Sequence, residues 1–252
     1  MIKTAIIAAL EREIHPLIRG WSPSRIECGG RTLPVYQSGD TIAVAGGIGC
    51  RRAELAARAV FEKFHPQLLV SAGLAGALIR SLKAGSVVTP TVVVDAATGV
   101  EYRCNTTGDV VGGGVLVTAE EIAGQGSKLS LVERFHGLVV DMEAAGVAKV
   151  AKEFNISFRC VKAISDELDF VMPPLTKFVD DQGSFSTGRF VAWSALRPQH
   201  WLAVLRLSRN SSRAAHAICD RLRRDAAAEV PVGAVVTLEE AEYRSHRKRK
   251  DA

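Results

Sequence analysis

Apolar and polar positions change period repeatedly along this 252-residue chain. Apolar, β-branched runs at 4–10 (TAIIAAL), 41–47 (TIAVAGG), 67–73 (QLLVSAG), 85–94 (GSVVTPTVVV), 114–118 (GVLVT), 137–141 (GLVVD) and 159–165 (RCVKAIS) predict strands. Several are continuous rather than alternating, as in strands covered on both faces. Alanine-rich stretches of helical period fill the intervals. From Glu143 onward, Ala144, Val147, Ala148 and Ala151 follow the i, i+3, i+4, i+7 spacing, with Lys149 and Lys152 on the wet side. Residues 51–64 predict another helix ending near Pro66, and 199–228 look helical again. Residues 175–195 have no clear period and read as a loop or lid. The alternation predicts an α/β fold: a single domain of three layers, α/β/α, around a mixed, largely parallel sheet. The domain is expected to span 1–243, with 244–252 a basic, disordered tail.

Composition narrows the class without changing it. With 47% hydrophobic and 23% charged residues, the chain reads as an ordinary soluble globular protein. Five cysteines, never spaced CxxC, suggest neither a disulfide framework nor a zinc site, but small hydrophobes in a reducing cytoplasm. No run reaches the roughly 18 apolar residues of a membrane helix, so no stable membrane insertion is expected. The N-terminal apolar run is cut short by Glu11, Arg12 and Glu13, which favours a first strand over a signal peptide. The net charge of +5 is concentrated in RSHRKRKDA, which holds five Lys/Arg against one Asp and leaves the body near +1. A basic body for nucleic acid is absent.

Candidate chemistry gathers where the strands end. In open α/β sheets, ligands bind in the crevice at the strands' carboxyl ends. Glu11 and Glu13 follow the first strand, GGIG (46–49) the second, AGLAG (72–76) the third. DME (141–143) and SDELD (165–169) follow two later ones. Each has a structural reading: Asp141 suits a helix N-cap, Glu143 a first helical turn, Ser165 and Asp166 another cap, Glu13 a helix surface. Their convergence on one rim from distant parts of the chain points instead to a site. GGIGCRR lacks the third glycine of a dinucleotide fingerprint, and GxxxxGK[ST], GxSxG and paired histidines are absent. No cofactor or metal is therefore expected. A glycine-lined cleft with separated acids suits a neutral, polyhydroxylated substrate and acid/base chemistry.

AALEREI (8–14), GGIG before an alanine-rich helix, SAGLAGAL, LKAGSVV, VVDMEAAGVAKVAKEF and FRCVKAISDELD together resemble the nucleoside phosphorylase and nucleosidase superfamily. The resemblance is particularly to its 5′-methylthioadenosine/S-adenosylhomocysteine nucleosidase branch, over roughly residues 3–170. The resemblance implies that Glu13 activates water and that Asp166 protonates the departing purine. Glu143, with Met142 before it, would grip the ribose hydroxyls. Ile48, Leu74, Ala75, Gly76 and Ser165 complete the expected substrate-binding set. Breaking a ribose–purine bond builds positive charge on the sugar and negative charge on the base, so one acid must protonate the base while a base delivers water. Inverting glycosidases divide the labour in the same way. For Asp166 to hold its proton near neutral pH, a cleft that excludes water is expected around it.

The expected activity is hydrolysis of a purine nucleoside, probed further by the departures. Val70, Ser71 and Ala72 stand where the hexameric phosphorylases carry a phosphate-binding arginine, which favours water over phosphate, although Arg51 and Arg52 offer another anion site. The nucleosidases' purine-facing phenylalanine is missing from TAEEI (118–122). That loop and LRPQHWLAVLRLSRNSSRA resemble the hopanoid-associated phosphorylase-like branch, which implies a large apolar 5′ group. Phe170, Phe178, Phe185, Phe190 and Trp193 are candidates for its pocket or for core. Phosphorolysis and non-catalytic nucleoside binding remain the alternatives. A homodimer is the implied assembly.

Overall fold

The computed structural model describes residues 1–105, 113–180 and 185–227; the tail expected at 244–252 lies outside them, as do residues 228–243. The chain begins with strand β1 (Thr4–Ala8) and helix α1 (Glu11–Ile18), followed by β2 (Ser22–Cys28), β3 (Arg31–Ser38), β4 (Thr41–Ala45) and α2 (Cys50–Phe64). Next come β5 (Leu68–Ala77), β6 (Val87–Val88), β7 (Val92–Asp95), β8 (Glu101–Arg103), β9 (Val115–Thr118) and α3 (Gln125–Phe135). The described chain closes with β10 (Val139–Asp141), α4 (Ala144–Glu153), β11 (Ser157–Asp166), α5 (Thr187–Ala195) and α6 (Trp201–Ala227).

All the strands join one mixed sheet, in the order β2-β3-β4-β1-β5-β10-β9-β7-β8. β11 runs parallel to β5 along almost its whole length and pairs with β6 along its other edge. Continuous apolar strands follow from cover on both faces. Along β1, Ala5 and Ile7 enter one core while Ile6 and Ala8 enter the other. β11 does the same with Phe158, Cys160 and Ile164 on one side and Val161 and Ala163 on the other. Helices α2 and α4 cover the first face through Ala53, Ala56, Ala57, Ala144, Val147 and Ala148. α6 covers the second with Ala214, Ile218, Cys219 and Leu222, beside Ile14 and Leu17 of α1. These are the three expected layers.

Several elements differ from the sequence reading. The β2–β3 hairpin is unpredicted because four of the first five side chains of β2 are exposed, and both strands carry a proline. Its turn is Gly29–Gly30, both in the left-handed region, where glycine carries no Cβ penalty. The run 85–94 is two strands, separated at Thr89–Thr91 around Pro90, which cannot donate to a ladder. Residues 187–195, expected as loop, form α5; its exposed Val191 and the exposed Leu196 just after it blur the period. Strands read from the sequence pair mostly in parallel, and the hairpin partners they miss add the antiparallel edges.

Candidate active site

Asp141, last residue of β10, is the hub on which the site is built. Its Oδ1 accepts the Thr118 hydroxyl at 2.7 Å. Its Oδ2 accepts the Ala144 N–H, the first residue of α4, at 2.9 Å, and the Lys162 ammonium at 2.7 Å. Asp141 therefore caps α4, although from two residues before the N-cap position, which Glu143 occupies instead of the first turn. Thr118 extends the arrangement by accepting the Ala145 N–H at 3.0 Å. This answers the strand-to-helix turn's need for partners and fixes the start of α4, directly after Met142 and Glu143.

Glu143 is held in turn by the backbone: its Oε1 accepts the Gly49 N–H at 3.0 Å, and its Oε2 that of Met142 at 3.3 Å. Burial pushes its carboxyl up from 4.5 to about 7, with the charge of Asp141 adding to the rise. Glu13, in the first turn of α1, is likewise raised from 4.5 to about 7, by burial, against the opposing pull of Lys162 and Arg12. Its Oε2 is buried without a hydrogen-bond partner. That oxygen lies so close to Gly73 that a Cβ there would sit 2.8 Å away, so the glycine makes room for the acid.

Asp166 closes β11, where the register with β5 shifts between Ile164 and Asp166. On a regular strand neighbouring side chains face opposite ways; an irregularity of this kind re-aims them. Here Ser165 and Asp166 both line the cavity, and the Ser165 hydroxyl donates to Asp166 Oδ1 at 2.8 Å. Oδ2 accepts from the ammonium of Lys128 at 2.6 Å. Lys128, in α3, is only 2% exposed and also donates to the Glu167 carbonyl at 3.0 Å. A Cβ on Gly76 would meet Asp166 Oδ2 at 2.8 Å and Lys128 Nζ at 3.3 Å. The expectation for Asp166 was a dry cleft that keeps a proton on the acid. The acid is buried as expected, but it is ion-paired with Lys128.

A cavity of about 180 Å³ joins these groups. Glu13, Ile48, Leu74, Ala75, Gly76, Met142, Glu143, Ser165 and Asp166 all line it, so the structure brings together the residues expected as the catalytic and substrate-binding set. Arg51 and Arg52, considered for an anion, do not line it; Arg12 and Lys128 are its cations. Residues 3–110 and 103–186 match the Phosphorylase superfamily. The chain belongs to that superfamily. It is 25% identical over 202 residues to the 5′-methylthioadenosine/S-adenosylhomocysteine nucleosidase of Exiguobacterium sp., covering 67% of this chain and 86% of that protein. Among solved structures, the same-named nucleosidase of Helicobacter pylori superposes with a TM-score of 0.67 at 18% identity, covering 88% of this chain and 97% of the other. The futalosine hydrolase of Helicobacter pylori strain 26695 gives 0.67 at 18%, with 88% and 96% covered.

Against this superfamily background, sequence reasoning missed the two buried lysines. Lys162 interrupts the apolar run of β11, and Lys128 heads a stripe with Leu131, Val132 and Phe135 at i+3, i+4 and i+7. A lysine on an apolar stripe was the available signal. The cavity also adjoins a second one of about 650 Å³ between α1, α5 and α6, and the two share Arg12, Glu13, Leu74, Leu175, Phe185, Leu207 and Ser211. Of the aromatic candidates, Phe185 lines both cavities and Phe190 the second. Phe178 packs edge-on against Phe190 and Trp193 in a cluster behind them, and Phe170 is buried.

Proposed function

We propose that this protein hydrolyses the N-glycosidic bond of a purine nucleoside that carries a 5′ substituent. The observation that supports the reading most is that three carboxylates from distant parts of the chain share one cavity, each in a different environment. Glu13 has an orphaned, buried oxygen and a carboxyl raised to about 7. A water docked on that oxygen meets a base matched to neutral pH, which is where general base catalysis is most effective. Glu143, fixed by the amides of Gly49 and Met142, receives the ribose hydroxyls, which a carboxylate accepts as hydrogen bonds. Asp166 faces the leaving purine and passes it a proton as the C1′–N9 bond breaks. The oxocarbenium charge on the sugar then lies among the carboxylates.

The second cavity supports the 5′ substituent. A ribose seated at Glu143 with its base at Asp166 has the adjoining chamber, with Phe190, Val191, Val204 and Leu207 on its walls, as the space left for a 5′ group. The test is to incubate the purified protein with adenosine, inosine, methylthioadenosine and S-adenosylhomocysteine, with and without phosphate, and to assay free base. Base release that is greater for 5′-substituted substrates is expected. Release from none of them would leave nucleoside binding without catalysis.

A further inference from the structure

Lys128 is not explained by the roles given above. A lysine at the head of the α3 apolar stripe forgoes the packing a leucine would give there, and taking its ammonium out of water is costly. Buried ion pairs are often no more stabilising than apolar residues of the same volume. The comparison with the other buried pair sharpens the question. Lys162 neutralises an Asp141 that caps α4 and binds Thr118, so that pair holds backbone in place. Asp166 takes its bonds from Lys128 and the Ser165 hydroxyl, on the wall of the cavity. A carboxylate whose work is to give away a proton needs a store from which to draw it. An ammonium 2.6 Å away is such a store.

We propose that Lys128 is the proton source of the site, acting through Asp166 on the leaving base. This rests on the nucleosidase reading above. As the C1′–N9 bond breaks, its electron pair goes to the purine. One proton moves from Lys128 Nζ to Asp166 Oδ2, and Asp166 delivers one to a purine nitrogen. Lys128 is left as a neutral amine and Asp166 as a carboxylate, while Glu13 takes the proton of the attacking water. Solvent returns a proton to Lys128 after the products leave. Two of the three ammonium N–H groups are held by Asp166 Oδ2 and the Glu167 carbonyl, which fixes the nitrogen for this transfer.

Arginine separates a proton source from a mere counter-charge, because a guanidinium keeps its proton. The experiment measures kcat and KM of wild type, Lys128→Met and Lys128→Arg on the best purine nucleoside found, and on a nitrophenyl riboside, whose leaving group needs no proton. The proposal expects kcat on the purine nucleoside to fall about 10²–10⁴-fold in both variants, with KM little changed and the nitrophenyl reaction largely retained. Recovery of most of the rate by arginine would make Lys128 only a charge partner and overturn the proposal. So would full purine activity in Lys128→Met, or equal loss of both reactions. A wild type that releases no base from any nucleoside would instead defeat the nucleosidase reading on which the proposal stands.

Discussion

Glu13→Gln should make the protein more stable at neutral pH while making it a poorer catalyst. The folded state holds the Glu13 carboxyl near 7 where an unfolded chain holds it near 4.5. Between those values the folded protein binds more protons than the unfolded one, so wild-type stability contributed by this group is lost as pH rises through the window. At about 1.4 kcal/mol for each tenfold in proton affinity, the ionised carboxylate costs about 3 kcal/mol above pH 7. The side chain is 7% exposed, so solvent screens little of it. An amide keeps the shape and carries no charge. Terms that do not depend on pH, such as the amide's own hydrogen bonding, cancel if the mutant is compared with itself at two pH values. Urea denaturation of wild type and Glu13→Gln near pH 4.5 and near pH 8 gives the quantity needed. The mutant should gain about 3 kcal/mol relative to wild type between the two. A stability difference that is independent of pH, or one that moves against the mutant as pH rises, would refute burial of the ionised acid as the origin of its raised pKa.

The remaining expectations concern the reaction and the assembly. Asp166→Asn should lower the rate on purine nucleosides about 10²–10⁴-fold and leave a nitrophenyl riboside largely unaffected, in steady-state assays of both. Glu143→Gln should be slow on both, because ribose is held whatever the leaving group. The rate at low substrate should rise with pH through about 7, since Glu13 must be ionised to accept a proton from water; a profile that falls over that range would exclude it as the base. Light scattering should give the mass of a homodimer, the assembly the family resemblance implies, and a monomer would contradict that expectation.

The strands that build the site were legible because cover on both faces writes them as continuous apolar runs, and the acids stand out where those runs stop. Asp141 was readable as a cap for the same reason: a short acceptor just before a helical stripe has few other uses. Lys128 and Lys162 were not readable as ion pairs, because a partner far along the chain, 38 residues away for Lys128, leaves no trace in local period. The same holds for the irregularity after Ile164, which turns Ser165 and Asp166 to one cavity although alternation would separate them. The β2–β3 hairpin was hidden by its exposed, proline-bearing strands, and α5 by Val191 on its outer face. In both cases tertiary pairing decided what local pattern could not.

The measurement closest to the central claim is the identity of the sugar product, compared between wild type and Glu13→Gln in buffer with and without phosphate. Hydrolysis by the cavity described here predicts a free, 5′-substituted ribose and free purine without phosphate, at a rate that phosphate does not change. Glu13→Gln should form the same products about 10²–10⁴-fold more slowly. Ribose 1-phosphate formed only when phosphate is present, at a rate indifferent to Glu13, would contradict the account.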